Sequence, residues 1–187
     1  MFPQQLTAKD GQSVTVRRAL PADAAQTVKY VNEVSGQTEY LSFGPTDYDR
    51  TASEQETRLT KIAAADNQLF LLATIENELA GMIHFGTGKR PRTRHTGDFG
   101  MSVHQKYWGL GVGSMLLQSV IDWSQQVGFV RKINLRVRTD NAPAIRLYER
   151  KGFKVEGTIA RDFQIAGVFF DSYCMGLELD AVREDTG

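Results

Sequence analysis

Three glycines on alternate positions, Gly109, Gly111 and Gly113, stand where an apolar alternating run gives way to a helical period, within the stretch from Val103 to Leu117. Glycine has no Cβ, so the backbone there can turn tightly and bring its N–H groups close to a ligand. From Ser114 to Val127 the residues Met115, Leu116, Val120, Trp123 and Val127, with Val112 before them, recur at three- and four-residue steps, the period of an amphipathic helix. A helix therefore opens at the glycines. Its unpaired N–H groups and the positive end of its dipole converge there, a geometry suited to phosphate or pyrophosphate. The amides around Trp108, Gly109, Leu110, Gly111, Val112, Gly113 and Ser114 are the candidate cradle.

Two other phosphate loops fail against these residues. A Walker A loop needs Gly-Lys-Ser/Thr after the glycines, and none is present. The dinucleotide fingerprint needs a third glycine where Ser114 stands and an acid closing the next strand; Asp140 comes late and in a turn. The glycines also follow a run of hairpin-like strands, whereas a Rossmann domain repeats strand–helix units from its start.

After the helix come a strand over Lys132–Arg138 and then the block Asn141-Ala142-Pro143-Ala144-Ile145-Arg146-Leu147-Tyr148-Glu149-Arg150-Lys151-Gly152-Phe153. The pair of blocks resembles the GCN5-related N-acetyltransferase superfamily. Its acetyl-CoA loop has the form Gln/Arg-x-x-Gly-x-Gly/Ala, and its next block reads Asn-x-x-Ala-x-x-Leu-Tyr-x-x-x-Gly-Phe. Asn141, Ala144, Leu147, Tyr148, Gly152 and Phe153 match the second block at every named position, and Gly111 and Gly113 match the first. Trp108 departs from the usual Gln or Arg, while the backbone cradle needs only the glycines. The resemblance runs from about Phe70 to Leu179, toward the ribosomal-protein and small-amine branch of the superfamily. It implies acetyl-CoA as acyl donor and an amine acceptor.

The whole chain, residues 1–187, reads as one domain, long enough for one core and short for two. A first strand is expected over Val14–Arg18, a helix from Pro21-Ala22-Asp23 to about Val34, and a second from Thr51 to about Ala65. Between those helices Tyr40, Leu41, Phe43 and Tyr48 carry more apolar surface than a solvated linker. That segment either lines the acceptor pocket or covers the core. Strands over Gln68–Ile75 and Leu79–Gly86, turned by Glu76-Asn77-Glu78, and a third after Lys89–Arg94 make an antiparallel meander. The glycine-loop helix crosses to the Lys132–Arg138 strand, which gives one parallel pair. Phe153–Ala160 and Val168–Leu179 form a closing hairpin turned near Ala166-Gly167. The fold class expected is α+β, with a mixed, mostly antiparallel sheet of about seven strands flanked by helices.

Charge narrows the partners. With 22 basic and 22 acidic residues, no global field favours nucleic acid or an anionic membrane, and no apolar stretch approaches a membrane span. The start, Met1-Phe2-Pro3-Gln4-Gln5, lacks signal-peptide regions, so a cytoplasmic setting is the default expectation. The run Lys89, Arg90, Arg92, Arg94 reads as a solvated turn more than an RNA contact, with the cofactor's 3′-phosphate a further option. Cys174, the only cysteine, is expected to pack rather than act as a nucleophile. His84 and His104 have no partner at metal-ligand spacing, so no metal is expected. The edge of the closing hairpin is a candidate homodimer surface.

Acyl transfer to an amine must hold the donor, stabilise the developing oxyanion, remove a proton from nitrogen and deliver one to the departing thiolate. As in the family, backbone groups of Met101, Ser102 and Val103 would pair with the pantetheine arm, and amides of that strand could form the oxyanion hole. Asn141 and Tyr148 lie two helical turns apart on nearly one face, so Asn141 would bond the pantetheine or nearby backbone and Tyr148 would protonate the thiolate. Asp98 is the candidate general base, with His95 and Asp171 as alternatives. The expected reaction is direct attack by a small-molecule amine, a protein N-terminus or a lysine in a ternary complex. The rival is a non-catalytic acyl-CoA sensor that keeps the cradle without turnover.

Overall fold

In the computed structural model residues 2–45 and 47–179 are described; Met1, Thr46 and the end of the expected domain, 180–187, lie outside them. The elements are β1 (Gln4–Thr7), β2 (Ser13–Arg18), a 3-10 turn at Pro21–Asp23, α1 (Ala24–Ser35), α2 (Ala52–Ala63), β3 (Gln68–Ile75), β4 (Glu78–Thr87), β5 (Thr96–Val103), a 3-10 turn at Gln105–Tyr107, α3 (Val112–Val127), β6 (Lys132–Arg138), α4 (Ala142–Arg150), β7 (Lys154–Ile165) and β8 (Val168–Glu178). The strands are hydrogen-bonded in the order β1-β2-β3-β4-β5-β6-β8-β7, a mixed and mostly antiparallel sheet of eight. The strand beyond the expected seven is β1, whose Gln-Gln-Leu-Thr carries one apolar residue and no buried one. It is held by its ladder to Ser13–Val16, a pairing that composition does not announce.

Contacts divide the chain into two compact units, one of residues up to Gly86 with Phe99–Val120 and one of Thr87–Asp98 with Ile121 onward. In the first unit α1 and α2 lie on β3 and β4, burying Tyr30, Val31, Val34, Leu59, Ile62, Phe70 and Leu72. Leu41, Phe43 and Tyr48 pack against this cluster, so the segment between the helices covers core. Thr51 caps α2 by accepting from Glu54 N–H at 3.2 Å, and the Glu54 carboxylate returns the bond to Thr51 N–H at 2.8 Å. That reciprocal pair is a capping box, which satisfies two backbone donors at the start of the helix. The β3–β4 turn places Glu76 and Asn77 at φ of 50° and 66°, the sign a two-residue hairpin turn requires.

In the second unit β5 and β6 run parallel over Thr96–Lys132, Gly97–Ile133 and Asp98–Asn134, where that register ends. β6 continues against β8 as far as Arg138–Ser172. The β7–β8 turn is at Ala166 and Gly167, both with positive φ, and the register slips between Ile159 and Phe163 around Arg161, φ 55°. No helix among the described residues is long and apolar enough to cross a membrane.

Candidate active site

The first unit carries the loop. At the end of β5 the His104 N–H bonds the Ala80 carbonyl of β4 at 2.9 Å. The chain then makes its 3-10 turn, pinned from beneath by Glu78, whose carboxylate accepts from Tyr107 Oη and Lys106 Nζ, each at 2.5 Å. Gly109 and Gly111 follow at φ of 80° and 93°, conformations that side-chain-bearing residues rarely adopt. Gly113, expected to share that role, instead lies inside the first turn of α3. The helix thus starts at Val112, two residues before the sequence reading, because the left-handed residue at Gly111 ends the loop. Met115 N–H to Gly111 C=O, at 3.0 Å, is the first helical bond seen at this end. The amides of Val112, Gly113 and Ser114 precede it, and among the described residues no backbone carbonyl one turn back receives them.

Gly81 on β4 lets this helix start sit close. A Cβ there would meet Leu116 Cδ1, Val112 Cγ1 and the Ser102 carbonyl, all at 3.1 Å. On the other face Ser102 Oγ donates to Tyr30 Oη of α1 at 3.3 Å, and burial pushes that phenol well above its ordinary range. Trp108 is half exposed, yet its indole N–H donates to the Val103 carbonyl at 2.7 Å. At the position where the family carries Gln or Arg, this chain has an indole that closes the turn onto the strand.

Sequence reasoning missed several of the residues that support this loop. Gln37, just after α1, accepts from Gln105 N–H with Oε1 at 2.8 Å, and its Nε2 lies 2.8 Å from His104 Nε2. Lys9, in the β1–β2 turn, donates its N–H to the Leu110 carbonyl at 3.1 Å. These contacts join residues far apart in the chain, and no local pattern signals them. The same unit holds two arginines beside aromatic rings, Arg58 over Phe70 at 5.3 Å and Arg50 over Tyr48 at 5.5 Å. Among the described residues neither forms an ion pair, and burial with the nearby Arg50 charge lowers the Arg58 pKa. His84, half-buried beside Phe70, is held neutral by desolvation and the Arg58 charge, its pKa lowered to about 4.

The second unit carries the proton-transfer candidates. Tyr148 is 8% exposed, and burial pushes its phenol up to about 12, so it keeps its proton at neutral pH. Its ring leans on Phe153 at 6.0 Å. Asn141 caps α4, its Oδ1 accepting from Ala144 N–H at 3.3 Å, which is the nearby-backbone option for that side chain. Asp98 is exposed at the end of the parallel register; desolvation raises its carboxyl pKa against the opposing pull of Arg136. Asp171 is occupied, since Oδ1 accepts from Arg161 N–H at 2.9 Å and so supports the β7 bulge. His95 is exposed, with its carbonyl accepting from Arg131 N–H at 2.7 Å. Cys174 lies half-buried on β8. In the basic run, Arg94 stacks on Phe129 at 4.6 Å, a partner distant in sequence.

The two motif blocks thus sit as strand–loop–helix and as strand–capped helix. Residues 36–153 match the model of the acetyltransferase (GNAT) family. The chain belongs to that family. A GNAT-family acetyltransferase from Streptococcus pneumoniae is 38% identical, with a TM-score of 0.87 over 89% of this chain and 99% of that one. The L-amino acid N-acetyltransferase AaaT of Escherichia coli is 35% identical over 56% of this chain; the matched stretch spans 65% of AaaT, just under two thirds. A phosphinothricin acetyltransferase from Sinorhizobium meliloti in complex with acetyl-CoA shares the fold, at 19% identity and a TM-score of 0.77 over 92% of this chain and 89% of that one.

As a GNAT member the chain is an acetyl-CoA-dependent N-acetyltransferase. The loop fits that donor. Its ligand-facing chemistry is backbone N–H at a helix N-terminus, and Trp108–Ser114 contains no acidic side chain to repel a diphosphate.

Proposed function

We propose that the chain, acting as one domain, acetylates a primary amine by direct attack while donor and acceptor are both bound. The observation that carries this reading is the pair of left-handed glycines delivering the free amides at the start of α3 directly after β5. Amides of Leu110–Ser114 hold the diphosphate. Backbone groups of Met101–Val103 receive the pantetheine arm and polarise the thioester oxygen; the Val103 carbonyl shares its lone pairs with Trp108. Acetyl-CoA supplies the electrophilic thioester carbon.

The amine nitrogen forms a bond to that carbon as the carbon–sulfur bond breaks. Asp98, directly or through water, accepts the proton that nitrogen sheds, and its raised pKa suits a base. Tyr148 offers its phenolic hydrogen to the departing sulfur, and Asn141 fixes the start of the helix that carries it. Initial-velocity measurements with both substrates varied test the order. Intersecting lines support the ternary complex, and parallel lines indicate an acetylated enzyme.

For the acceptor we favour an amino acid over a polyamine or protein N-terminus. Arg50 and Arg58 crowd two cations together, and neither forms an ion pair among the described residues although Glu54 lies within electrostatic reach of Arg50, which suits an anionic acceptor group. The E. coli relative named for L-amino acids points the same way. Arg58→Gln should raise KM for amino acids while acetyl-CoA affinity is kept; an unchanged KM removes the arginine pair from acceptor binding. A dimer surface is proposed on the β7–β8 hairpin, where Val168 and Phe169 are exposed.

A further inference from the structure

The loop at Gly109–Gly111 is met by a residue from the opposite end of the chain. The β1–β2 turn is fixed by Ala8 N–H to Gln12 C=O at 2.9 Å and Gly11 N–H to Ala8 C=O at 3.0 Å. That turn presents Lys9, whose N–H bonds the Leu110 carbonyl at 3.1 Å. Its Cγ lies 4.0 Å from where a Cβ on Gly111 would stand. The side chain therefore runs beside the cradle, and the ammonium sits three bonds beyond the point of contact. Lys9 is exposed and forms no ion pair among the described residues. The neighbouring acid does not neutralise it: Asp10 turns both carboxylate oxygens to Gln12, accepting from its N–H at 3.1 Å and its Nε2 at 2.5 Å.

We propose that Lys9 is a binding residue for the acyl donor, its ammonium closing over the diphosphate held by the amides at the start of α3. The assignment rests on the cradle described above and adds to it the one element backbone amides lack, a full positive charge. Amide donors and a helix dipole supply partial charges, while a diphosphate carries formal negative charge at neutral pH. A lysine tethered by its own backbone to the loop keeps that charge at the seat without ordering a distant segment on binding. It also gives β1 and β2 a task in the reaction, which the two motif blocks do not reach.

The test is calorimetry on the full chain with acetyl-CoA, 3′-dephospho-CoA and acetyl-pantetheine, for the wild type and Lys9→Ala, Lys9→Arg and Lys9→Glu. Loss of one exposed charged contact is expected to weaken acetyl-CoA binding by about 5- to 10-fold in Lys9→Ala and by more in Lys9→Glu. Lys9→Arg should stay within about twofold of wild type, because the charge is kept. The same loss should appear with 3′-dephospho-CoA and vanish with acetyl-pantetheine, which has no diphosphate. Equal affinity of Lys9→Ala and wild type for acetyl-CoA would overturn the assignment while leaving the cradle intact. A loss confined to CoA bearing its 3′-phosphate would also overturn it. Absence of acetyl-CoA binding by the wild type would instead remove the cradle itself.

Discussion

Replacing Gly111 by alanine separates backbone strain from steric crowding in the loop. The new Cβ would meet only Met115 Cε at 3.8 Å and Lys9 Cγ at 4.0 Å, both ordinary contacts, so nothing must move to admit it. The φ of 93° is a different matter, because an alanine there occupies a region L-residues avoid. Holding a non-glycine residue in such a conformation costs about 1–3 kcal/mol, offset by roughly 0.4–1 kcal/mol from the stiffer unfolded chain. The net destabilisation expected is about 1–2 kcal/mol. For a chain of this size that lowers Tm by roughly 2–8 °C. Relaxing φ to escape the strain would swing the amides of Val112 and Gly113 away from their common focus. A realignment worth about 1.4 kcal/mol already weakens acetyl-CoA binding tenfold. Thermal denaturation with and without acetyl-CoA reads both effects in one titration. An unchanged Tm together with an unchanged ligand-induced rise would refute the claim that the left-handed glycine shapes the seat.

Tyr148→Phe should lower turnover while leaving acetyl-CoA affinity close to wild type. General acid groups contribute about 10²–10⁴-fold, and a phenol held near 12 is a weak acid toward a thiolate, so the lower end is expected. Full turnover would make the residue structural. Asp98→Asn should cost most at low pH, where free amine is scarce and a base is most needed; a pH profile that matches wild type would dismiss Asp98. The Asp23 carboxylate bonds both Arg17 nitrogens at 2.7 Å and the Leu20 N–H at 2.7 Å, which together hold its pKa below the usual carboxylate range. Its stabilisation is complete above the unfolded value of about 4 and is lost as pH falls through the lower folded value. Asp23→Asn should therefore lower stability at pH 7 by about 1–2 kcal/mol and flatten the acid limb of the stability curve. An unaltered acid limb would contradict this.

Local pattern carried the elements whose cause is local. Lys132–Arg138 and Gln68–Ile75 have the expected bounds because alternation and flanking turn residues define them. The β7–β8 turn follows from Gly167 beside a residue able to take positive φ. The start of α3 was misplaced because glycine composition does not say which glycine is left-handed; only Gly109 and Gly111 are, and Gly113 is helical. The weak strand β1 escaped notice since its order comes from a partner strand rather than from its own residues. Among the candidate site residues, Asn141 and Tyr148 stand out in sequence because they fall in the Asn141–Phe153 block. Lys9, Gln37, Tyr30 and Glu78 do not, because each reaches the end of β5 or the loop after it by tertiary contact. The Trp108 departure could be read from sequence, but its bond to the Val103 carbonyl could not. Asp171 is an alternative base on its charge in sequence, and its bond to Arg161 N–H is a contact that the sequence does not signal.

The most direct test of the account is calorimetric titration of the wild-type chain with acetyl-CoA, followed in the same preparation by thiol release against amino acids, polyamines and peptide N-termini. Saturable binding with thiol release for an amine class is the expected result, amino acids being the class favoured by Arg50 and Arg58. Binding with no release for any amine would contradict the catalytic reading in favour of an acyl-CoA sensor, and no binding at all would contradict the cradle on which the account stands.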